Sequence, residues 1–172
     1  RWHAGVFRTA NENDILFISA GALTNQGYFD NVGDTLRKGF EANLSGNAGE
    51  RVHWSVDYTH LDATFEEEFA VASPNNPLAV DGEIEVREGD RLPLIPRQLL
   101  KAGLRFAVSG AFTLGADVYS ASGQHFRGDE ANLVDELDGY TLLSLRAEYR
   151  LRSHAALFAN LDNVLGEEYA TF

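Results

Sequence analysis

The sequence predicts an all-β protein: an antiparallel transmembrane β-barrel segment of about eight meander strands, part of a larger barrel. Three observations carry this. Apolar and polar residues alternate with a period of two along most segments. The connections alternate between short turns and long loops. The long loops hold most of the acidic residues. A soluble sheet has no reason to gather its short turns at one end and its long loops at the other, whereas a membrane barrel has one rim facing a confined compartment and one facing outside.

In chain order, Arg1–Thr9 reads as a first strand, Asn11–Asp14 as a short turn, and Ile15–Ala20 as a second strand. Gly21–Gly33 is a long loop. Leu36, Phe40, Ala42 and Leu44 mark a third strand, interrupted by Lys38, and Gly46–Glu50 the next short turn. From Val52, the residues Trp54, Val56 and Tyr58 oppose His53, Ser55, Asp57 and Thr59. Glu66–Pro96 is the longest loop. Alternation is clearest over Leu100–Val108, then resumes after Ser109–Ala111 in Phe112, Leu114, Ala116 and Val118. Gln124–Asp138 is the third long loop. Thr141–Leu151, the short connection Arg152–Ser153 and Ala155–Val164 complete the pattern.

Facing rules make the register specific. A hairpin around Ser109–Ala111 must pair Phe106 with Leu114 and Leu104 with Ala116 if each pair shares a face. Gly103 then lies opposite Asp117, with Arg105 diagonal to that carboxylate. Trp54, Phe106, Phe112 and Tyr149 lie on apolar faces close to short turns, where an interfacial girdle is expected. In a soluble sandwich these rings would be core. The opposite faces, with glycines and paired charges, favour the barrel.

Lys plus Arg number 14 against 26 Asp plus Glu, for a net charge of -12. Nucleic acid is excluded as a partner, because its phosphates need a basic footprint. From Asp62 to Asp90 there are nine acids and one base, Arg87. Absent cysteine excludes a disulfide scaffold and thiolate metal sites. No apolar run approaches the roughly 18 residues of a membrane-spanning helix. The chain opens on Arg1 rather than Met, so it is expected to be a processed product or a fragment.

Several stretches resemble a known family. FRTANENDILFIS, then LTNQGYFDNVGDTLRKGFEANLSG, then SPNNP followed by DGEIEVREGDRLPLIPRQLLKAGLRF, are similar to the barrel domain of TonB-dependent outer-membrane receptors. In LFANLDNVLGEEYATF, Asn163 and Tyr169 match a late-barrel motif, while Val164, Leu165 and Gly166 depart from its Leu-Phe-Asp. The resemblance implies a 22-stranded wall with a plugged lumen. Residues 1–172 would be the C-terminal portion of that barrel domain, with the plug domain and final strand outside the chain. It implies a cell outer membrane (Gram-negative) location, contact with lipid and lipopolysaccharide, and energy from the TonB-ExbB-ExbD system through the plug. The implied activity is uptake of a scarce nutrient, a ferric siderophore or other iron complex. Alternatives are a passive porin-like channel or a structural or adhesive surface barrel.

Outer-loop residues are the ligand-binding candidates: Tyr28, Arg91, Arg97, His125 and Arg127. The arginines can hold carboxylate or phosphate bidentately, or can pair with neighbouring acids. Tyr28, Phe29, Phe65, Phe69 and Phe126 could stack on an aromatic ligand or pack the loops. His3, His53, His60, His125 and His154 share no metal-binding spacing, and wall positions are expected for them. Glu66, Glu67, Glu68, Asp81, Glu83, Glu85, Glu88 and Asp90 are ligands of the calcium type without calcium-loop spacing, so a solvated loop is expected. Such a loop suits a neutral or cationic ligand better than an anionic chelate. Arg127-Gly128-Asp129 matches the cell-adhesion tripeptide but is short enough to arise by chance. No nucleophile motif or phosphate loop marks an enzyme, and no cofactor or metal site is expected.

Overall fold

The computed structural model describes residues 1–19, 27–152 and 155–170. Among these, seven long strands build a wall: β1 (Trp2–Asn11), β4 (Thr35–Ala48), β5 (Val52–Phe65), β8 (Gln98–Ala107), β9 (Phe112–Ala121), β10 (Tyr140–Arg152) and β11 (Ala155–Leu161). They form one antiparallel sheet, each pairing with the next in that order. Two hairpins stand apart from this wall: β2 (Ile15–Ser19) with β3 (Gly27–Asn31), and β6 (Phe69–Ala72) with β7 (Glu83–Val86). The sheet is an open wall, not a closed barrel.

The meander confirms the expected fold class but moves one segment. Ile15–Ala20 was expected in the wall, after a short turn at Asn11–Asp14. Instead β1 pairs directly with β4, Asn11 opposite Thr35, so residues 12–34 form a single long connection. Strand β2 pairs with β3, Phe17 opposite Phe29. Ile15–Ser19 is too short to span a bilayer, which takes roughly 9–11 residues. The alternation of short and long connections survives this change. Residues 20–26, which include the start of the Gly21–Gly33 loop, lie outside the described residues, as do Ser153, His154 and Phe172.

The wall has two faces of opposite chemistry. Trp2, Ala4 and Val6 pair with Leu44, Ala42 and Phe40. Leu44 and Ala42 pair onward with Val56 and Tyr58, then these with Ala102 and Leu100. Leu104 pairs with Ala116 and Phe106 with Leu114, as the hairpin rule requires. Large apolar side chains on this face stand open: Val6 is 88% exposed and Trp2 78%. A water-facing sheet does not leave such a continuous apolar surface uncovered, so this is the lipid side. Near the short turns Phe112 and Tyr149 meet edge to face at 6.2 Å, and Trp54 covers Gly46, where a Cβ would sit 3.0 Å from the indole.

The other face is polar and internally paired. His3 faces Glu41 at 3.5 Å, and Asn43 donates to Asp57 at 2.6 Å. Gly103 lies opposite Asp117 as expected. The partner of Asp117 is Arg146 at 3.4 Å, not Arg105. Both arginines are register partners of Gly115, so both stand diagonal to Asp117, one on each neighbouring strand. The tight β8–β9 turn made the first diagonal legible; the register of β9 with β10, across a long loop, was not.

The hydrophobic core lies at the long-loop end of the wall, between the end of β5 and the long loops. Ile18, Val32, Ala63, Phe65, Val71, Ile84, Val86, Leu92 and Ala131 form one buried cluster. Phe65 is fully buried and meets Phe69 edge to face at 5.2 Å. Burying a side chain of this kind contributes roughly 1.5–3 kcal/mol. Glu83, Ile84, Glu85 and Val86 alternate exposed and buried, so the acidic segment is a strand with one apolar edge. Asp81 and Gly82, both with positive φ, make a tight turn in which Val80 and Glu83 exchange backbone hydrogen bonds.

Candidate functional site

Described parts of three long connections fold together on one rim: residues 12–19 with 27–34, 66–97 and 122–139. Residues 66–97 and 122–139 are joined by polar contacts. Glu136 Oε1 accepts from Arg91 Nη1 and lies 3.4 Å from His125 Nε2. The Leu94 N–H donates to the His125 carbonyl at 3.0 Å. Asn132 adds a two-way clasp: its Oδ1 accepts from the Arg91 N–H at 2.6 Å, and its Nδ2 donates to the Arg91 carbonyl at 3.0 Å.

Asp129 is a second hub. Its carboxylate accepts from Asn76 Nδ2 at 2.9 Å and from the N–H groups of Leu133 and Val134 at 2.9 and 3.2 Å. His125 Nδ1 is 3.6 Å away. The Gly128 carbonyl accepts from Ser73 Oγ and from Asn76 Nδ2. Asp129 and Glu130 are each only 1% exposed, so these loop acids are internal rather than solvated. In the Arg127-Gly128-Asp129 tripeptide Arg127 is exposed, but Asp129 is buried and already bonded within the rim.

Arg127, Arg37 and Glu130 line a small cleft together with Leu16, Phe17 and the Leu92–Ile95 segment, about 120 Å³ in volume. The Arg127 guanidinium lies 5.1 Å from the centre of the Phe17 ring. Arg37 is held by Asp14, with Nη2 3.0 Å from Oδ2. Burial of Asp14 works to raise its carboxyl, but hydrogen bonds from Thr35, Arg37 and Asn11 outweigh this and hold it below the usual range. Burial pushes the Glu130 carboxyl up, and Asp129 adds to this, only partly offset by the Gly128 N–H. Among the described residues Glu130 Oε2 has no hydrogen-bond partner. Leu94 adopts φ 62°, the left-handed region that a leucine rarely enters.

Of the five candidate residues, Arg91 and His125 are brought together on Glu136, and Arg127 lines the nearby cleft. Tyr28 lies on β3 opposite Ile18, half exposed. Arg97 stands apart: its guanidinium is bound to Asp62 of β5 at 2.7 Å, on the lipid side of the wall. The expectation that histidines sit in polar wall positions fails twice. His125 is buried in the rim, and His60 stacks on Phe40 at 5.7 Å on the lipid face. The acids Glu67, Glu68, Asp81, Glu83, Glu85 and Glu88 are exposed. Among the described residues no group of three or more His, Cys, Asp or Glu could hold a metal ion.

Asp14, Asn132, Asp129 and Glu136 were not singled out by sequence as organising residues. Asn132 offers the one local signal, a non-glycine position with φ 51°. A cleft of this size is smaller than the roughly 300–1,000 Å³ of a small-molecule pocket.

The Asn163–Tyr169 segment has a definite role. Asn163, with φ 50°, accepts from the Glu167 N–H and donates to its carbonyl, both at 2.9 Å. This turn brings Tyr169 to stack on Tyr140 at 4.6 Å.

A family model described as TonB dependent receptor-like, beta-barrel matches residues 1–164. Among curated relatives, the probable TonB-dependent siderophore receptor PiuA of Acinetobacter baumannii is 26% identical over 98% of this chain and 21% of its own length. The metal-pseudopaline receptor CntO of Pseudomonas aeruginosa is 25% identical over 85% of this chain and 19% of its own. The chain thus spans about a fifth of the length of these relatives. The crystal structure of the A. baumannii siderophore receptor PiuA superposes with a TM-score of 0.71 at 22% identity, covering 98% of this chain and 22% of that one. The ferric-catecholate import receptor Fiu of E. coli K12 superposes with a TM-score of 0.67 at 19% identity, covering 98% and 21%. At these identities the superpositions speak for the fold.

Proposed function

The chain belongs to the TonB-dependent receptor β-barrel family, and from that membership we propose that it serves a cell-outer-membrane receptor for energised uptake of a scarce nutrient. The observation that carries this reading is the division of labour in the fold. A wall with one apolar and one polar face bears, on one rim only, long loops packed around a hydrophobic core of their own. A passive pore needs the wall; a preformed rim suits a receptor. In this reading the segment is the C-terminal part of the barrel wall, and force from the TonB-ExbB-ExbD system acts on a plug contributed by the rest of the polypeptide.

The substrate proposed is a ferric siderophore or other iron complex. A relative that is a probable siderophore receptor and one that is a metal-pseudopaline receptor support the class. The exposed acids on β7 and beside it disfavour a strongly anionic chelate at that part of the rim. The cleft carrying Arg127 is the better seat for an acidic end group, and half-exposed Tyr28 for an aromatic one.

The test is uptake of iron-55 siderophore by an iron-starved strain whose only receptor is this one. Uptake that needs both the receptor and TonB supports the proposal. Equal uptake without TonB would turn it into a passive channel, and no uptake of any iron complex would remove the substrate class.

A further inference from the structure

Three of the six tyrosines meet one another on the polar face of the wall. Tyr119 is the register partner of Lys101, and Tyr140 that of Ala121. Residues two apart on a strand share a face, so both rings lie on the side of Asp117 and away from the lipid. The centres of the Tyr119 and Tyr140 rings are 5.9 Å apart, with 36° between their planes. Tyr140 and Tyr169 are closer and more nearly parallel, at 4.6 Å and 25°.

A folded turn holds the last ring in place. Asn163 bonds both ways to Glu167, and the Val164 N–H donates to the Leu143 carbonyl at 2.8 Å. The turn thus fixes residues 163–167 against β10, and Tyr169 follows two residues later, 46% exposed. Each ring of the closest pair finds its partner inside this chain.

The chain has no cysteine and no methionine, the side chains that oxidants ordinarily attack first. Tyrosine and tryptophan are left as its main one-electron donors. Both tryptophans are on the lipid side, Trp2 opposite Leu44 and Trp54 opposite Leu104. Lys101 Nζ lies 5.9 Å from the centre of the Tyr119 ring, and a cation there opposes removal of an electron from it. Among the described residues no cation lies over Tyr140 or Tyr169.

We propose that Tyr140 and Tyr169 are a site of oxidative cross-linking, at which a one-electron oxidant of the hydroxyl-radical class joins the two rings by a carbon–carbon bond. Each phenol gives one electron and its hydroxyl proton to one hydroxyl radical, which becomes water. The two tyrosyl radicals couple at ring carbons beside the hydroxyls. Each of those carbons then passes its hydrogen to its own ring's oxygen, which restores both phenols. The pair has lost two hydrogens, and residues 162–169 are covalently fastened to β10. Stacking the rings makes the coupling intramolecular, which favours it over coupling between molecules. The site does not depend on which nutrient the receptor carries.

The experiment oxidises the intact receptor in detergent with tris(bipyridine)ruthenium and persulfate under light, and separately with ferrous iron and hydrogen peroxide. Tryptic peptides are read by tandem mass spectrometry, and total dityrosine by its fluorescence. The expected product joins the Tyr140 and Tyr169 peptides, is lighter by two hydrogens, and forms in a yield unchanged on dilution. Tyr169→Phe keeps the stacked ring but is expected to lower the fluorescence about fivefold. Asn163→Ala frees the turn while keeping both phenols, and is expected to lower it about threefold. Tyr28→Phe is expected to leave it unchanged. No Tyr140–Tyr169 product from a receptor whose Tyr28 is oxidised would overturn the proposal. So would an equal yield from the urea-unfolded receptor, a product mainly joining Tyr119 to Tyr140, or an equal loss of fluorescence in Tyr28→Phe. A receptor that transports no iron but gives the expected cross-link leaves the site standing.

Discussion

Arg91 and His125 converge on one atom, Oε1 of Glu136, which accepts from Arg91 Nη1 and lies 3.4 Å from His125 Nε2, joining two loops that are far apart in sequence. Arg91 comes from the segment that leads down to β8 and His125 from the one that leaves β9. With the Asn132 clasp on Arg91 and the Asp129 hub, this carboxylate closes the rim over the β8–β9 hairpin.

Glu136→Gln is expected to loosen this closure without unfolding the wall. Glu136 is 39% exposed, so solvent screens the pair and the local cost is about 1 kcal/mol. Hydrogen exchange should quicken at residues 122–139 and around Arg91, while amides of β8 and β9 keep their protection. Uniform loss of protection across the wall would show that Glu136 does more than hold the rim.

The two faces of β8 and β9 should respond very differently to charge. Leu104→Arg places a cation on the lipid side and is expected to cost about 2–4 kcal/mol in folding into lipid vesicles if it lies near the bilayer midplane. Thr113→Arg, on the lumen side of β9, should be much milder. Equal costs in the two variants would contradict the assignment of faces.

The wall was legible in the sequence because a period of two is a local signal. Leu100, Ala102, Leu104 and Phe106 announce their face, and Ser109–Ala111 their turn. What strand a segment pairs with is not local. Ile15–Ser19 has the composition of a wall strand, and only the direct pairing of Asn11 with Thr35 excludes it from the wall. The rim core was hidden by charge: Ile84 and Val86 are buried, but each sits beside an exposed glutamate. Asp129 and Glu130 read only as acids of a long loop, because their burial depends on Asn76, His125 and Leu133 folding around them. The cluster of Arg91, His125 and Glu136 could not be read from spacing, since tertiary contact alone assembles it.

Glu130 should make the rim less stable as pH rises. Burial raises its folded carboxyl above the ordinary value of 4.5. Between the two values the folded rim binds the extra proton, so its stability is fully present below 4.5 and falls as pH climbs through the raised value. Glu130→Gln removes the charge and should flatten this slope. Hydrogen exchange at residues 122–139, measured across that pH range, checks the sign: an unchanged slope would exclude Glu130 as its source.

Asp14 should act in the opposite direction and at a different place. Its carboxyl is held below the ordinary 3.8, so its contribution is present above 3.8 and is lost as pH falls through the lowered value. Thr35 Oγ1 donates to it at 2.6 Å and Arg37 Nη2 at 3.0 Å, joining the start of β2 to the top of β4. Asp14→Asn keeps the shape but removes the charge, at an expected cost of about 1–2 kcal/mol near neutrality for two charge-assisted bonds. The expected readout is faster exchange in β2 and β3 at neutral pH, with the variant and the parent converging once Asp14 is protonated. A difference that persists at that acidity would mean that side-chain packing at this position, and not the carboxylate charge, sets the stability of the hairpin.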